Sequence, residues 1–388
     1  KYKDMIRIFI KYPICPPTVP FFVKKCKYTA PAALYFAVEI AKAMSAALPI
    51  TKSNFLLYLA CPPEFWYNKH RPELFTAPPG EEDLFTMRQG QAVEALARNW
   101  FKPSATLQIE YQTVFQTDTL YARADVVLTN PQTGERTLVE IKSGTKVTDE
   151  YLYDLAFQCH VARENGILFD RVALLHIDNT YVRRGGLDIE RLFVFADVTR
   201  QVGAMRDGTT MLIRHALDYL SKPAPTVRLH ECCGKKLACP VVQMMHPGLP
   251  HYTVFHISRI DKKVLIDCLQ QGIVDIKHVP ETLKLSEKQR LQVRIAQSGE
   301  PHIDAGRIRA SLNTLRYPLY FLDYETLAYA IPLFDALAPY QQMTFQWSLH
   351  IVREAGAEPE HLGFLSDGSD HPALHFVEAL RAAIPPDG

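Results

Sequence analysis

Apolar residues alternate with polar ones at a two-residue period in several short runs, and each such run predicts a β-strand. Other segments place apolar residues three and four positions apart, which predicts helices. The predicted strands cover residues 106–116, 120–129, 136–143, 171–178 and 191–198. The predicted helices cover residues 52–75, 83–101, 149–165 and 200–220, the first with Ser53 as N-cap and an interruption at Pro62 and Pro63. Strands, a helix and further strands in this order predict an α/β domain.

The pattern changes beyond Pro250. Residues 258–316 are charged and mostly helical, with two short helices expected around Gly272. A second core is expected to begin with the apolar run "YPLYFLDYET", residues 317–326. Asp323 and Glu325 end that run and share one face of the predicted strand.

One predicted hairpin carries charged residues inside its strands. If the strands close symmetrically around Gln132 and Thr133, Asp125 stands opposite Glu140, and Lys142 shares the face of Glu140. Opposed like charges destabilise a sheet, and a divalent cation between the carboxylates would remove that cost. A solvated hairpin face with one salt bridge is the alternative interpretation. Both interpretations stay open on these residues alone.

Composition adds limits on the class of protein. The chain has 388 residues, 47% hydrophobic, with a formal net charge of +1. That length predicts two or three domains. The near-neutral net charge gives no indication of nucleic-acid binding, although a local basic patch would be sufficient for it. Three of the eight cysteines, Cys232, Cys233 and Cys239, cluster within residues 232–239, which favours a metal or cluster site in a reducing, cytoplasmic compartment over a disulfide framework.

The first 43 residues lack a clear hydrophobic period, and the natural start is expected at Met44. The Ala-rich stretch 29–50 contains Glu39 and Lys42. Neither a membrane span nor a signal peptide is therefore expected.

Several of these residues carry a family resemblance. Asp125, then Glu140-Ile141-Lys142, then Gln158 on the next helix resemble the PD-(D/E)XK nuclease pattern. The cysteines resemble the subgroup of RecB nuclease domains and CRISPR-adaptation exonucleases. "KSNFLLYLACPPEFWYNKHRPEL" and "YFLDYETLAYAIPLFDALAPYQQMTFQWSLH" resemble the bacterial domain-of-unknown-function family 2779, in which a RecB-like nuclease module precedes a DnaQ-like, RNase H-fold exonuclease region. The resemblance covers about residues 50–380.

The resemblance implies a fold and a domain order. The fold is a restriction-endonuclease-like mixed sheet flanked by helices, followed by a helical linker and the start of an RNase H-like domain. The expected divisions are a doubtful extension 1–43, a nuclease domain 44–228, a Cys-containing segment 229–250 packed back on that domain, a linker 251–316, and a truncated exonuclease region 317–388.

The resemblance also implies a metal site and a substrate. Asp125, Glu140 and the backbone carbonyl of Ile141 would bind Mg²⁺ or Mn²⁺, which take oxygen ligands. Lys142 would orient the attacking water or offset negative charge, and Gln158 would position nucleophile or substrate. The expected partner is nucleic acid, with DNA favoured. Glu94 is an additional candidate metal ligand, or else a solvated helix charge.

Cys61, Cys233 and Cys239 match three of the four cysteines that hold a 4Fe-4S cluster in the resembled proteins. The expected fourth position falls near Met244 or Met245, so His246 or Cys232 would have to substitute. Three buried thiols without a cluster remain the alternative.

In the C-terminal region, Asp323 and Glu325 resemble the first motif of DEDD exonucleases, whose acids bind two metal ions. The remaining acids of that motif are expected beyond residue 388. The function predicted for the chain is therefore metal-dependent hydrolysis of phosphodiester bonds. A catalytically weak binding or scaffold module, or activity only in a full-length C-terminal domain, are the alternatives.

Overall fold

Two short turns fold residues 108–142 back on themselves as three antiparallel strands: β2 Gln108–Gln116, β3 Leu120–Thr129 and β4 Arg136–Lys142. The computed structural model describes residues 49–231 and 236–385. Val126 pairs with Val139, which is the register that symmetric closure around Gln132 and Thr133 requires. The predicted hairpin register is therefore confirmed.

Three further strands complete a mixed six-stranded sheet. They are β1 Ile50–Thr51, parallel to the start of β3; β5 Arg171–Ile177, parallel to β4; and β6 Phe193–Asp197, antiparallel to β5. A parallel β4–β5 pair needs a long crossover, and the helix Asp149–Glu164 supplies it. The predicted α/β architecture, a mixed sheet flanked by helices, is confirmed.

The six-stranded sheet and its helices, residues 50–221, form a first unit, and the helices lie on both faces of the sheet. They are α1 Lys52–Ala60, α2 Pro62–His70, α3 Glu81–Ala97, α4 Asp149–Glu164, α5 Ile189–Leu192, α6 Thr199–Ala204 and α7 Arg206–Ser221. Leu138 of β4 packs with α4 in a first core, whose largest members include Leu155 and Phe157. Val139 and Ile141 point to the other face and pack with Val93 of α3 in a second core.

Three predicted element boundaries are wrong in detail. Helix α1 has Thr51 as its N-cap, because the Thr51 hydroxyl accepts from the Asn54 amide and the Asn54 side chain accepts from the Thr51 amide. Ser53 lies inside the helix. The helix predicted at 200–220 is divided at Met205, and the strand predicted from residue 191 begins after the helical turn Ile189–Leu192.

Residues 236–312 contain short helices and a separate small core. The α-helices are α8 Pro240–Met245, α9 Lys262–Gln270, α10 Glu287–Ser298 and α11 Ala305–Leu312. Leu265, Cys268 and Ile276 are among the buried residues of that core. The predicted helices are thus present in this region, and much of it packs around this third core.

A second, antiparallel sheet follows, with strand order β7 Leu319–Leu327, β8 Met343–Val352 and β9 Glu360–Leu365. Helix α12, Pro372–Ala383, covers one face, where Phe376 packs with Trp347. The predicted start at Met44 and the predicted extension 1–43 lie outside the described residues. Within the described ranges, no helix combines the length and apolar character needed to cross a membrane.

Candidate functional site

Glu140 is a buried carboxylate at the centre of a polar cluster. The residue is almost fully buried, at 1% exposure. Its Oε1 accepts from the ammonium groups of Lys142 at 2.7 Å and Lys52 at 2.6 Å. Its Oε2 accepts from Nε2 of Gln158 at 2.8 Å. A carboxylate is stable inside a protein only when paired and hydrogen-bonded in this way.

Asp154 is a second buried acid of the cluster. Lys142 donates to its Oδ2 at 2.7 Å, and Gln158, one turn later on α4, donates to its Oδ1 at 2.8 Å. Lys52 lies 3.8 Å from the same Oδ1. Two ammonium groups therefore stand between two buried carboxylates, but burial and then the charge of Glu140 outweigh them at Asp154 and raise the pKa of Asp154.

Asp125 stands next to Glu140 with less compensation. The β3–β4 ladder ends at Val126–Val139, so Asp125 and Glu140 follow at the next position of the same register. The Asp125 Oδ2 accepts from the Ile141 amide at 2.9 Å. The structure therefore brings together Asp125, Glu140, Lys142 and Gln158, as the sequence predicted, and Ile141 contributes its backbone while its side chain enters the second core.

The alternation of side chains between the two faces of the sheet is interrupted in β3 at Asp125. Ala124 packs in the first core, whereas Val126, two residues later, packs in the second, although such residues normally share a face. Opposite Asp125, Gln112 has a left-handed backbone with φ of 57°. A non-glycine residue in that region costs free energy, and such strained residues cluster at functional sites.

The Gln112 side chain connects Asp125 to Glu94. Its Nε2 donates to Glu94 Oε1 at 2.9 Å and, over a longer 3.3 Å, to Asp125 Oδ1. Glu94 also accepts from Arg98, one turn along α3. Glu94 thus lies at the edge of the cluster and contacts Asp125 only through Gln112 in the described part of the chain.

The environment drives the pKa values of the two adjacent acids apart. Burial, and then the charge of Glu140, raises the pKa of Asp125 from 3.8 to about 7. Burial would also raise the pKa of Glu140, but the Lys142 and Lys52 charges overcome it and lower that pKa to about 2. The Lys142 pKa is raised, because Glu140 and Asp154 together outweigh the effect of burial. Lys142 is therefore an ammonium at neutral pH.

The side chains that could bind a hard divalent cation are Asp125, Glu140 and Gln158, because such ions take oxygen ligands. Asp125 has a raised pKa beside a charged Glu140, and a cation shared by the two would remove that repulsion. The Oε1 of Gln158 is buried and has no hydrogen-bond partner among the described residues, which leaves another oxygen in the cluster. No group of three or more His, Cys, Asp or Glu side chains within residues 49–231 and 236–385 is arranged to hold a metal ion. A site here would thus depend on two carboxylates with backbone or amide oxygens.

Lys52, Asp154 and Gln112 are the members of the cluster that the sequence did not predict. Asp154 had a signal, since it lies four residues before Gln158 and must share its helix face. Lys52 had none, because it is 88 residues away from Glu140 along the chain. Gln112 occupies a strand position that periodicity assigns to an ordinary polar residue.

The predicted cysteine set is described only in part. Cys61 lies between α1 and α2, and Cys239 is buried against Tyr67 of α2. Cys233 lies outside the described residues, as does Cys232. The segment around Cys239 therefore packs on the helix that begins directly after Cys61.

Asp323 and Glu325 lie on strand β7 of the second sheet, and both are exposed. The Asp323 carboxylate accepts from the amide of the next residue, Tyr324, at 3.0 Å. They pair in register with Ser348 and Gln346 of β8. They are thus members of a different sheet from the Glu140 cluster.

Comparison with known proteins gives one family match. Residues 320–388 match the family described as "Domain of unknown function (DUF2779)", which supports the resemblance to that family. No curated protein matches the chain at a significant level. A solved structure titled "Crystal structure of SSO0001" is 13% identical, over 54% of this chain and 98% of that one, with a TM-score of 0.26. The family match includes Asp323 and Glu325 but not the Glu140 cluster.

Proposed function

We propose that this protein is a metal-dependent nuclease that hydrolyses phosphodiester bonds, with DNA as the favoured substrate. One observation carries the proposal. Asp125 and Glu140 face each other at the register position that follows Val126–Val139, with the Lys142 ammonium 2.7 Å from Glu140. Folding gains nothing from placing a second, poorly compensated acid beside a buried one, so the arrangement favours a chemical role.

Asp125, Glu140 and the Ile141 carbonyl would hold Mg²⁺ or Mn²⁺. When bound, such an ion lowers the pKa of a water ligand and stabilises negative charge on the phosphate. The interrupted alternation of β3 at Asp125 supports this assignment, because it turns that carboxylate toward Glu140 and the Ile141 amide.

The remaining side chains have roles that follow from their contacts. Lys142 stays protonated, so it offers positive charge and N–H donors to a phosphate or a water and does not act as a base. Lys52 places a second ammonium on the same Glu140 oxygen. Gln158 donates to both buried acids and fixes their orientation. Pre-organised donors of this kind need no rearrangement as charge develops.

Two alternatives belong to other classes. A weakly catalytic nucleic-acid-binding or scaffold module would retain binding without cleavage. The exposed pair Asp323 and Glu325 could instead belong to a DEDD-type exonuclease whose remaining acids lie elsewhere. The ion pairs of two lysines with two buried acids beside the first sheet favour a nuclease site in the first unit over these two alternatives.

The test is metal-dependent digestion of end-labelled and circular DNA, with end-labelled RNA in parallel. Glu140→Gln and Asp125→Asn should each lower Mg²⁺- or Mn²⁺-dependent cleavage by about 100-fold or more, because each weakens a ligand of the ion. Glu135→Gln, an exposed residue in the turn of the same hairpin, is the matched control. Full cleavage by Glu140→Gln would refute the assignment.

We further propose that Cys61, Cys233 and Cys239 hold an iron–sulfur cluster. The packing of Cys239 on α2 supports it, since that helix starts beside Cys61. Anaerobically purified protein should then contain iron and absorb visible light. Cys239→Ser should lose both properties, whereas Cys268→Ser, a change of another buried thiol in the third core, should retain them. Iron-free, colourless parent protein would contradict the proposal.

A further inference from the structure

The loop of residues 328–342, which joins β7 to β8 of the second sheet, lies against the first unit. Arg183 holds its middle: the Arg183 amide donates to the Leu337 carbonyl at 3.0 Å, and the Ala336 amide donates back to the Arg183 carbonyl at 2.9 Å. The Arg183 guanidinium donates to the Leu333 carbonyl at 2.6 Å. At its start, Ala330 is fully buried in the second core. The loop is therefore fixed on the unit that contains the candidate site.

Tyr340 anchors the other end of the loop beside the Glu140 cluster. Its hydroxyl donates to the Ser143 carbonyl at 2.7 Å, and Ser143 directly follows Lys142. Its amide donates to the Tyr329 carbonyl at 2.7 Å. Its backbone is left-handed, with φ of 59°. An aromatic residue is rarely found in this conformation, and surrounding contacts must hold it there.

The Tyr340 ring remains accessible although its hydroxyl is hydrogen-bonded. Tyr340 is 40% exposed. The Lys142 ammonium lies 5.3 Å from the centre of another aromatic ring, that of Tyr151. An exposed aromatic ring is thus fixed on the backbone of Ser143, the residue that follows the cation that would face a phosphate. Bases stack on rings placed in this way, and the contact tolerates any base.

We propose that Tyr340 is a positioning residue that stacks on a nucleotide base next to the phosphodiester bond addressed by Glu140 and Lys142. The loop 328–342 would then form one side of the substrate cleft. The second unit, which consists of the β7–β9 sheet and α12 (residues 319–383), would thereby contribute to the specificity of the first. This inference rests on the proposed nuclease function. It adds a residue outside the first sheet, and it predicts that substrates with an unpaired base at the site bind better than blunt duplex.

Binding is measured in the full chain with Glu140→Gln as background, so that the substrate stays intact. Fluorescence anisotropy of labelled oligodeoxythymidine, oligouridine and a blunt DNA duplex gives the affinities. Tyr340→Leu should weaken binding of the favoured single strand about 10-fold to 100-fold, and Tyr340→Phe should retain most of the affinity because the ring remains. Tyr252→Leu is the matched control, since Tyr252 is a partly exposed tyrosine whose hydroxyl accepts from Gln292.

Photocrosslinking locates the contact directly. An oligonucleotide carrying 5-iodouracil should crosslink to the peptide that contains Tyr340, and the crosslink should disappear with Tyr340→Leu. Equal affinity of Tyr340→Leu and Tyr252→Leu, a crosslink only at other peptides, or no binding of either single strand would overturn the inference. The deoxy and ribo probes show which nucleic acid is preferred.

The two proposals fail in different ways. If the parent protein cleaves and Glu140→Gln does not, but Tyr340→Leu binds normally, only the role of Tyr340 is wrong. If the parent never cleaves but Tyr340→Leu loses affinity and the crosslink, the nuclease proposal is wrong and the base contact stands.

Discussion

At the scale of single residues, Asp125 is the acid whose charge has the least compensation. Its pKa of about 7 lies above the ordinary 3.8 because of burial and the adjacent Glu140. The folded state therefore binds this proton more tightly than the unfolded state. The stabilisation is fully present below the unfolded pKa, and it is lost as pH rises through about 7.

This sign gives a prediction for protein kept in a chelator. As the pH rises from about 5 to about 8, the free energy of unfolding of Asp125→Asn should increase relative to that of the parent by on the order of 2 kcal/mol. Urea unfolding of both proteins at the two pH values measures the difference. The lowered pKa of Glu140 contributes a loss of stability only as pH falls below its unfolded value of 4.5, outside this range. An unchanged difference between the two pH values would contradict a raised Asp125 pKa.

Mg²⁺ should offset the loss of stability that ionised Asp125 causes. A ligand that binds only the folded state stabilises it in proportion to the logarithm of its concentration over Kd. Millimolar Mg²⁺ at about pH 8 should therefore raise the melting temperature of the parent but not that of Asp125→Asn. Glu135→Gln should respond like the parent. An equal response of Asp125→Asn would place the binding of Mg²⁺ elsewhere on the protein.

Lys142 is predicted to stabilise the fold as well as to act in the site. Replacing it by Met leaves Glu140 and Asp154 with only Lys52, and breaking a buried ion pair costs about 3 kcal/mol. Adding Asp154→Asn should recover part of that loss, because one uncompensated charge disappears. Lys146→Met, at an exposed position after β4, is the control. Equal urea midpoints for the Lys142 and Lys146 variants would refute this account.

At the scale of elements, the cap of α1 positions Lys52. The helix begins at Lys52, and the reciprocal hydrogen bonds of Thr51 and Asn54 fix its first turn. Thr51→Ala should lower stability by about 1 kcal/mol, and it should lower cleavage because the Lys52 ammonium loses its fixed position. Ser53→Ala should change both less, since Ser53 is exposed within the helix. A larger effect of Ser53→Ala in urea unfolding and digestion assays would restore Ser53 as the cap.

The same elements show what sequence could predict and where it stopped. Strand period and turn residues were sufficient for the hairpin register, because one face of each strand is buried and a one-residue slip would expose it. Glu140, Lys142 and Gln158 followed from side-chain alternation and from the resemblance. The interrupted alternation at Asp125 and the left-handed Gln112 depend on contacts between β2, β3 and α3. Local periodicity contains no information about such contacts, nor about the hydrogen bond between Lys52 and Glu140 of β4.

At the scale of the whole molecule, the loop 328–342 connects two units that have separate cores. Arg183 makes the central contacts of that connection, to the carbonyls of Leu333 and Pro332 and to the backbone of residues 336 and 337. Two arginines are adjacent here, and Arg184 is exposed. The pair therefore offers a matched comparison between an arginine that holds the loop and one that does not.

Arg183→Ala should release the loop without unfolding either core. Each lost charge-assisted hydrogen bond to a carbonyl contributes about 1.5–3 kcal/mol, which is enough to raise local opening of residues 328–342 by more than tenfold. Hydrogen exchange of the loop amides, and limited proteolysis within the loop, should increase in Arg183→Ala and remain at the parent level in Arg184→Ala. The amides of β3 and β4 should stay protected in both variants. If the loop amides of Arg183→Ala exchange as slowly as those of the parent, other contacts hold the loop, and the two units are joined more rigidly than the Arg183 hydrogen bonds alone require.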